Sequence, residues 1–146
     1  MSVEISDDRS RMDVAVIHEF LSQESYWAKD VPREVVQRAI DHSLCIGAFD
    51  EGAQVGFARV ITDYATFAYI ADVFVLPAHR GRGISKQIMD AIVNHRELHG
   101  LRRWHLVTRD AHGLYAQFGF TAVDAPERHM MRVVKDAYGA PASRAG

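Results

Sequence analysis

The chain has 146 residues, of which 48% are hydrophobic and 25% charged, and its formal net charge is −2. That length suits one domain with a real core, and the charge is too low for nucleic acid to be a main partner. No apolar run approaches membrane-spanning length, and Met1-Ser2-Val3-Glu4 lacks the basic start and apolar core of a secretion signal, so the expectation is a cytoplasmic protein without membrane contact.

In chain order, Val3 to Ser6 reads as a short strand ended by Asp7-Asp8. Ser10 with Asp13 resembles a capping box, and Val16, Ile17, Phe20 and Leu21 form an apolar stripe, which predicts a helix over about 11–22. A loop with Tyr26, Trp27 and Lys29 follows. Pro32 then starts a second helix, to about Ser43, with Val35, Val36, Ala39 and Ile40 inward. Leu44–Phe49 and Gln54–Ile61 read as strands joined by a turn at Asp50-Glu51-Gly52-Ala53, and a longer strand is predicted over 66–76. Cys45, the only cysteine, lies in the apolar run Leu44-Cys45-Ile46 and reads as a buried small side chain.

A helix is expected from about Gly83 to Glu97, a strand over Trp104–Val107 and a short helix over Ala111–Gln117. A final hairpin is expected over Phe120–Val123 and His129–Val134. The order is β-α-α-β-β-β-α-β-α-β-β, which predicts an α/β (α+β) fold with a mixed, mostly antiparallel sheet and helices on both faces. Residues 1–135 form the expected domain, and 136–146 a frayed tail with no role in chemistry.

The most informative stretch joins the long strand to the following helix: Val75-Leu76-Pro77-Ala78-His79-Arg80-Gly81-Arg82-Gly83-Ile84-Ser85-Lys86. Pro77 stops the strand, two glycines let backbone approach a ligand, and a helix N-terminus follows. Free amides and the positive end of the dipole suit phosphate there, with Arg80, Arg82 and Lys86 adding positive charge. The Walker pattern is absent, and GxGxxG fails where Lys86 replaces its last glycine.

The run from Val75 to Ser85 resembles the acyl-CoA loop of the GNAT family of N-acetyltransferases, with Arg80, Gly83 and Ser85 at its pattern positions; serine departs from the usual glycine or alanine. Leu114-Tyr115-Ala116-Gln117-Phe118-Gly119-Phe120 resembles that family's second signature. The resemblance spans residues 3–135. It implies acetyl transfer from acetyl-CoA to an amine, with Tyr115 protonating the departing thiolate. It also implies cofactor contacts at Phe74, Val75, Arg80, Gly81, Arg82, Gly83, Ile84, Ser85, Lys86 and Thr108, the last standing where many members have asparagine.

Asp72, a lone carboxylate in an apolar strand, is the first candidate for the base or amine anchor, with a strand-edge salt bridge as its bland alternative. Glu24, Tyr26 and Tyr64 sit in loops that could overhang an acceptor site, and Tyr26 and Tyr64 are taken as acceptor contacts. The eight histidines are scattered and His18-Glu19 lacks a second histidine four residues after the first, so no metal is expected. A small-molecule amine is favoured over a protein lysine, and a homodimer is compatible with the reading. The rival reading is a non-catalytic acyl-CoA-binding sensor or accessory protein.

Overall fold

The computed structural model describes residues 2–138. Strand β1 (Glu4–Ser6) leads through a 3-10 turn at Arg9–Arg11 into helix α1 (Val14–Glu19), which continues as a π-helical turn over Phe20–Glu24. Helix α2 (Arg33–Asp41), strands β2 (Leu44–Asp50), β3 (Ala53–Thr62) and β4 (Phe67–Val75), helix α3 (Ile84–Val93), strand β5 (Arg103–Leu106) and helix α4 (His112–Ala116) follow. The first helix is capped by Asp13, whose side chain accepts from the Val16 amide. Ser10 lies in the preceding 3-10 turn and is itself held by Asp8, so the expected capping box does not form.

The sheet has the order β1-β2-β3-β4-β5; the first three pairings are antiparallel and β4 pairs with β5 in parallel. This is the mixed, mostly antiparallel sheet expected, with five strands instead of seven. The hairpin expected over Phe120–Val123 and His129–Val134 is absent: among the described residues no strand follows β5. Ala125, at φ 55°, leads instead into a 3-10 turn at Pro126–Arg128, which does not fold the two segments back on each other.

Strand alternation divides the core between the two faces of the sheet. On one face α3 buries Ile84, Ile88, Met89 and Ile92 against Ile46, Val60, Ala68 and Ile70. On the other, Ile17, Phe20, Leu21, Val36 and Ile40 from the first two helices cover Cys45, Phe57 and Phe74. Phe20 stacks on Phe74 with centroids 4.1 Å apart, which fixes the start of the π-helical turn over the end of β4. Gln54 is buried behind α1 and accepts from the Asp13 amide at 2.7 Å, tying the helix N-terminus to β3.

Burial pushes the Cys45 thiol up to about 11. At pH 8 only about one thiol in a thousand is then ionised, and the thiolate is the reactive form. We expect a disulfide reagent such as DTNB to leave the native protein unlabelled over minutes at pH 8 and to titrate one thiol promptly in denaturant, as read by absorbance.

Candidate functional site

The parallel pairing of β4 with β5 runs only from Phe67–Arg103 to Ile70–Leu106. Beyond it, β4 carries a bulge: two residues, Asp72 and Val73, stand opposite the single Ala58 of β3, and Asp72 takes φ 56°. Asp tolerates this left-handed conformation better than most side chains. The uninterrupted strand expected over 66–76 is therefore kinked in its middle, and the two parallel strands diverge.

Leu76 donates its amide to the Val55 carbonyl at 2.8 Å. Alternation then turns the Val75 amide and carbonyl the other way, into the gap beside β5. Arg80 Nε donates to that carbonyl at 3.1 Å, which leaves the Val75 amide facing the gap. Phe74, named with it from sequence, directs its backbone toward β3 and its ring into the core.

After β4 a 3-10 turn at Pro77–His79 leads into the glycine loop. Gly81 and Gly83 take φ 80° and 74°, and a Cβ on either would meet no other atom. Their requirement is thus the left-handed backbone together with open space on the outer side. Gly83 precedes α3 directly and offers no side-chain cap, so the first-turn amides at Ile84, Ser85 and Lys86 point out without intrahelical partners. The arginines are less free than the sequence suggested. Arg82 donates to Asp50 Oδ2 at 2.9 Å, beside His79, and Arg80 is folded back onto β4. Lys86 is exposed at the loop.

On the face covered by α1 and α2 lies a cavity of about 310 Å³ whose walls include Leu21, Val35, Phe57, Tyr69, Trp27 and Tyr138. Arg59 and Asp72 form its ion pair, Nε to Oδ2 at 2.8 Å, with side chains only 18% and 11% exposed. The other carboxylate oxygen accepts from Trp27 Nε1 at 2.8 Å. Both oxygens of Asp72 are therefore engaged, and it is presented as the anchor of an ion pair rather than as a free base. The loop carrying Trp27 is itself fixed: Ser25 Oγ donates to the Leu21 carbonyl at 2.6 Å and accepts from the Ala28 amide.

Tyr26 sits edge-on to Trp27 and lies under the Arg109 guanidinium, 3.9 Å from ring centroid to Cζ. The contact links the α1–α2 loop to the segment after β5. Tyr115, on α4, is buried against Phe120, and its phenol makes no hydrogen bond to another described residue. Burial pushes its ionisation above the ordinary phenol range, with Tyr26 and Asp110 adding to the shift. Thr108 Oγ1 accepts from the Ala111 amide at 3.0 Å and so supports the start of α4. Tyr64 does not line the cavity. It lies at φ 61° in the β3–β4 turn, where Asp63 gathers the amides of Ala65, Thr66 and Phe67.

Arg59, Tyr69, Arg109 and Tyr138 were not singled out from sequence. Arg59 carried a signal, since a lone arginine in the apolar strand AQVGFARVIT needs a buried counter-charge. Ala137 and Tyr138, assigned to an inert tail, lie in a described turn with Tyr138 on the cavity wall; residues 139–146 lie outside the described residues. Among the described residues no group of acidic, histidine or cysteine side chains could hold a metal, and no helix is long and apolar enough to cross a membrane.

Residues 41–122 match the family model described as acetyltransferase (GNAT) domain. A Gibberella zeae protein named "Putative acetyltransferase" is 30% identical over 135 residues, covering 77% of this chain and 75% of its own. The solved structure of a GNAT-family protein from Xanthomonas campestris pv. campestris is 58% identical, covering 96% of this chain and 99% of its own, with a TM-score of 0.92. A Mycobacterium tuberculosis structure, in complex with CoA and NLQ, shares the fold at 22% identity and a TM-score of 0.68, over 83% of this chain and 73% of its own.

Removing one partner of a mostly buried ion pair strands the other charge, at a cost of about 3–5 kcal/mol. Arg59→Met should lower the unfolding free energy by that amount in urea melts at pH 7, whereas Arg11→Met, which breaks the exposed pair with Glu4, should cost far less.

Proposed function

Starting from the chain's membership of the GNAT acetyltransferase family, we propose that it transfers an acetyl group from acetyl-CoA to a primary amine of a small molecule, by direct attack in a ternary complex. The observation that carries the reading is the conjunction at the end of β4. The Val75 amide faces away from β3, the open N-terminus of α3 follows the loop after it, and Val75, Ile84 and Tyr115 belong to one buried cluster.

In this reading the pyrophosphate rests on the amides of Gly83 to Lys86, with Lys86 beside it. Arg82 reaches it by leaving Asp50. The pantetheine arm lies between the diverging strands, along the exposed Val107. The thioester carbonyl takes the Val75 amide, which then stabilises the oxyanion formed on attack. The acceptor occupies the cavity walled by Trp27, Tyr69 and the Arg59–Asp72 pair. An ammonium has no lone pair, and Asp72, the only carboxylate among the described residues lining the cavity, is already paired. The amine therefore attacks as the free base, forming the C–N bond, and its nitrogen gives up a proton to water; collapse breaks the C–S bond, and Tyr115 passes its proton to the departing sulfur and is reprotonated from solvent.

A side chain at Gly83 must adopt a left-handed φ and would project into the space the phosphates occupy. Gly83→Val should keep its far-UV circular dichroism and lose at least tenfold in CoA affinity by calorimetry. Unchanged affinity would remove the loop from the site.

Tyr115→Phe retains the ring and deletes only the proton donor. Turnover with acetyl-CoA and a good amine should fall about 10²-fold, the lower end for general acids, with CoA affinity preserved. Because burial raises the phenol's ionisation, turnover of the wild type should fall with rising pH only above about 10, where an unperturbed phenol would already be half ionised. Release of free CoA thiol across a panel of amines supplies both readouts. No release with any amine, alongside intact CoA binding, would favour an acyl-CoA sensor.

A further inference from the structure

We propose that the acceptor is a primary amine on an aromatic body that carries no second charged group. The proposal rests on the acetyl-transfer reading above and names the substrate class of the same cavity. Of the described residues that wall this cavity, only Arg59 and Asp72 are charged. Every other is aliphatic or aromatic, with Val35 and Ala39 on α2 and Trp27, Phe57 and Tyr69 among them.

The two charges neutralise each other. Arg59 donates through Nε to Asp72 Oδ2 at 2.8 Å and through Nη1 to Ser43 Oγ at 3.2 Å, and Trp27 Nε1 donates to Asp72 Oδ1 at 2.8 Å. The cavity therefore offers no net charge. A carboxylate, a phosphate or a second ammonium on the acceptor would give up its hydration and meet no net countercharge, which is costly. Amino acids, phosphorylated amino sugars and polyamines are disfavoured on that ground. The reacting nitrogen is exempt, because it attacks as the free base.

Size and wall material narrow the class further. The cavity holds about 310 Å³, at the small end of ligand pockets, which run to roughly 300–1,000 Å³. At roughly 30 Å³ for a water-sized group it admits about ten such groups, the scale of one ring and a short arm. Its aromatic walls are set in advance. Trp27 is held by its bond to Asp72 and by the Tyr26 ring, edge-on at 5.1 Å, and Tyr69 is stacked on His105 at 5.7 Å. Fixed rings receive a flat apolar body with little loss of side-chain freedom. Asp72 stands three residues before Val75 on β4. The amino group thus lies at that end, toward the thioester, and the ring lies against α2.

Binding can be read without turnover. The chain has two tryptophans, Trp27 on the cavity wall and Trp104 on β5. With CoA present at pH 8, added phenethylamine should shift the Trp27 indole N–H resonance saturably and leave that of Trp104 in place. With acetyl-CoA, phenethylamine should exceed glutamate, glucosamine 6-phosphate and spermidine in kcat/KM by about a hundredfold. It should exceed hexylamine about threefold, the scale of one aromatic contact. Ala39→Leu lengthens a side chain on the cavity wall. It should raise the KM for phenethylamine about tenfold while kcat, CoA affinity and melting temperature stay near those of the parent.

Absence of a saturable Trp27 shift overturns the proposal whatever the kinetics. Equal or better use of hexylamine or of a charged acceptor also overturns it, and leaves acetyl transfer standing. A saturable shift with no turnover of any amine overturns the acetyl-transfer reading and keeps the ligand class. An Ala39→Leu variant that melts like the parent and uses phenethylamine unchanged overturns the placement of the ring.

Discussion

The Arg59–Asp72 ion pair is the interaction on which the geometry of the site depends. Each of its groups is the only charged residue of its strand, and each is mostly buried. Such a pair is a weak source of stability, because the desolvation of two charges consumes much of the Coulombic gain. What it supplies is position. Oδ2 of Asp72 is held by β3, the strand paired to it, while Oδ1 reaches the loop before α2 through Trp27. One carboxylate thereby fixes the bulge that ends the β4–β5 pairing and also the aromatic wall of the cavity beside it. Two apolar residues could fill the same volume, but they could not hold a left-handed residue in mid-strand and an indole at the same time.

The two ends of the gap are built from different materials. The end facing α3 is made of backbone: two left-handed glycines, three unpaired helix amides and the Val75 amide. Its arginines are already engaged, Arg82 with Asp50 and Arg80 with the Val75 carbonyl. An anion arriving there meets fixed dipoles and the exposed Lys86 first, and gains Arg82 only by competing with Asp50. The end facing α1 and α2 is made of side chains, in a cavity with apolar walls and one neutralised pair. Backbone recognition suits a ligand part that does not vary, and side-chain walls suit a part that does.

The sequence made the backbone-built end legible and the side-chain-built end largely not. Gly81, Gly83 and Pro77 act locally: each sets φ or removes a donor wherever it stands, so a strand–turn–helix could be read from their order. Tyr115 was found through its run with Gly119 and Phe120, again local. Asp72 was noticed for the right reason, a charge in an apolar strand, yet its role depends on Arg59, thirteen residues away across the β3–β4 turn. Register decides such a pairing, and a bulge at the very residue in question shifts register by one. Arg109 over Tyr26 joins two loops more than eighty positions apart, and no periodicity encodes that. Tyr64 was chosen for its place in a loop between strands, and it sits in the β3–β4 turn, off the cavity wall.

The end of the chain is where local preference and the single-chain fold disagree. Residues 120–123 and 129–134 have strand-forming composition, and both are left without ladder partners, next to an edge that also lacks one. Natural sequences seldom leave such a conflict standing, because agreement between local preference and global packing is what selects one structure. The second of these segments ends four residues before Tyr138, which lies on the wall of the cavity beside Asp72. Where residues 129–134 are held therefore constrains where Tyr138 can lie on that wall.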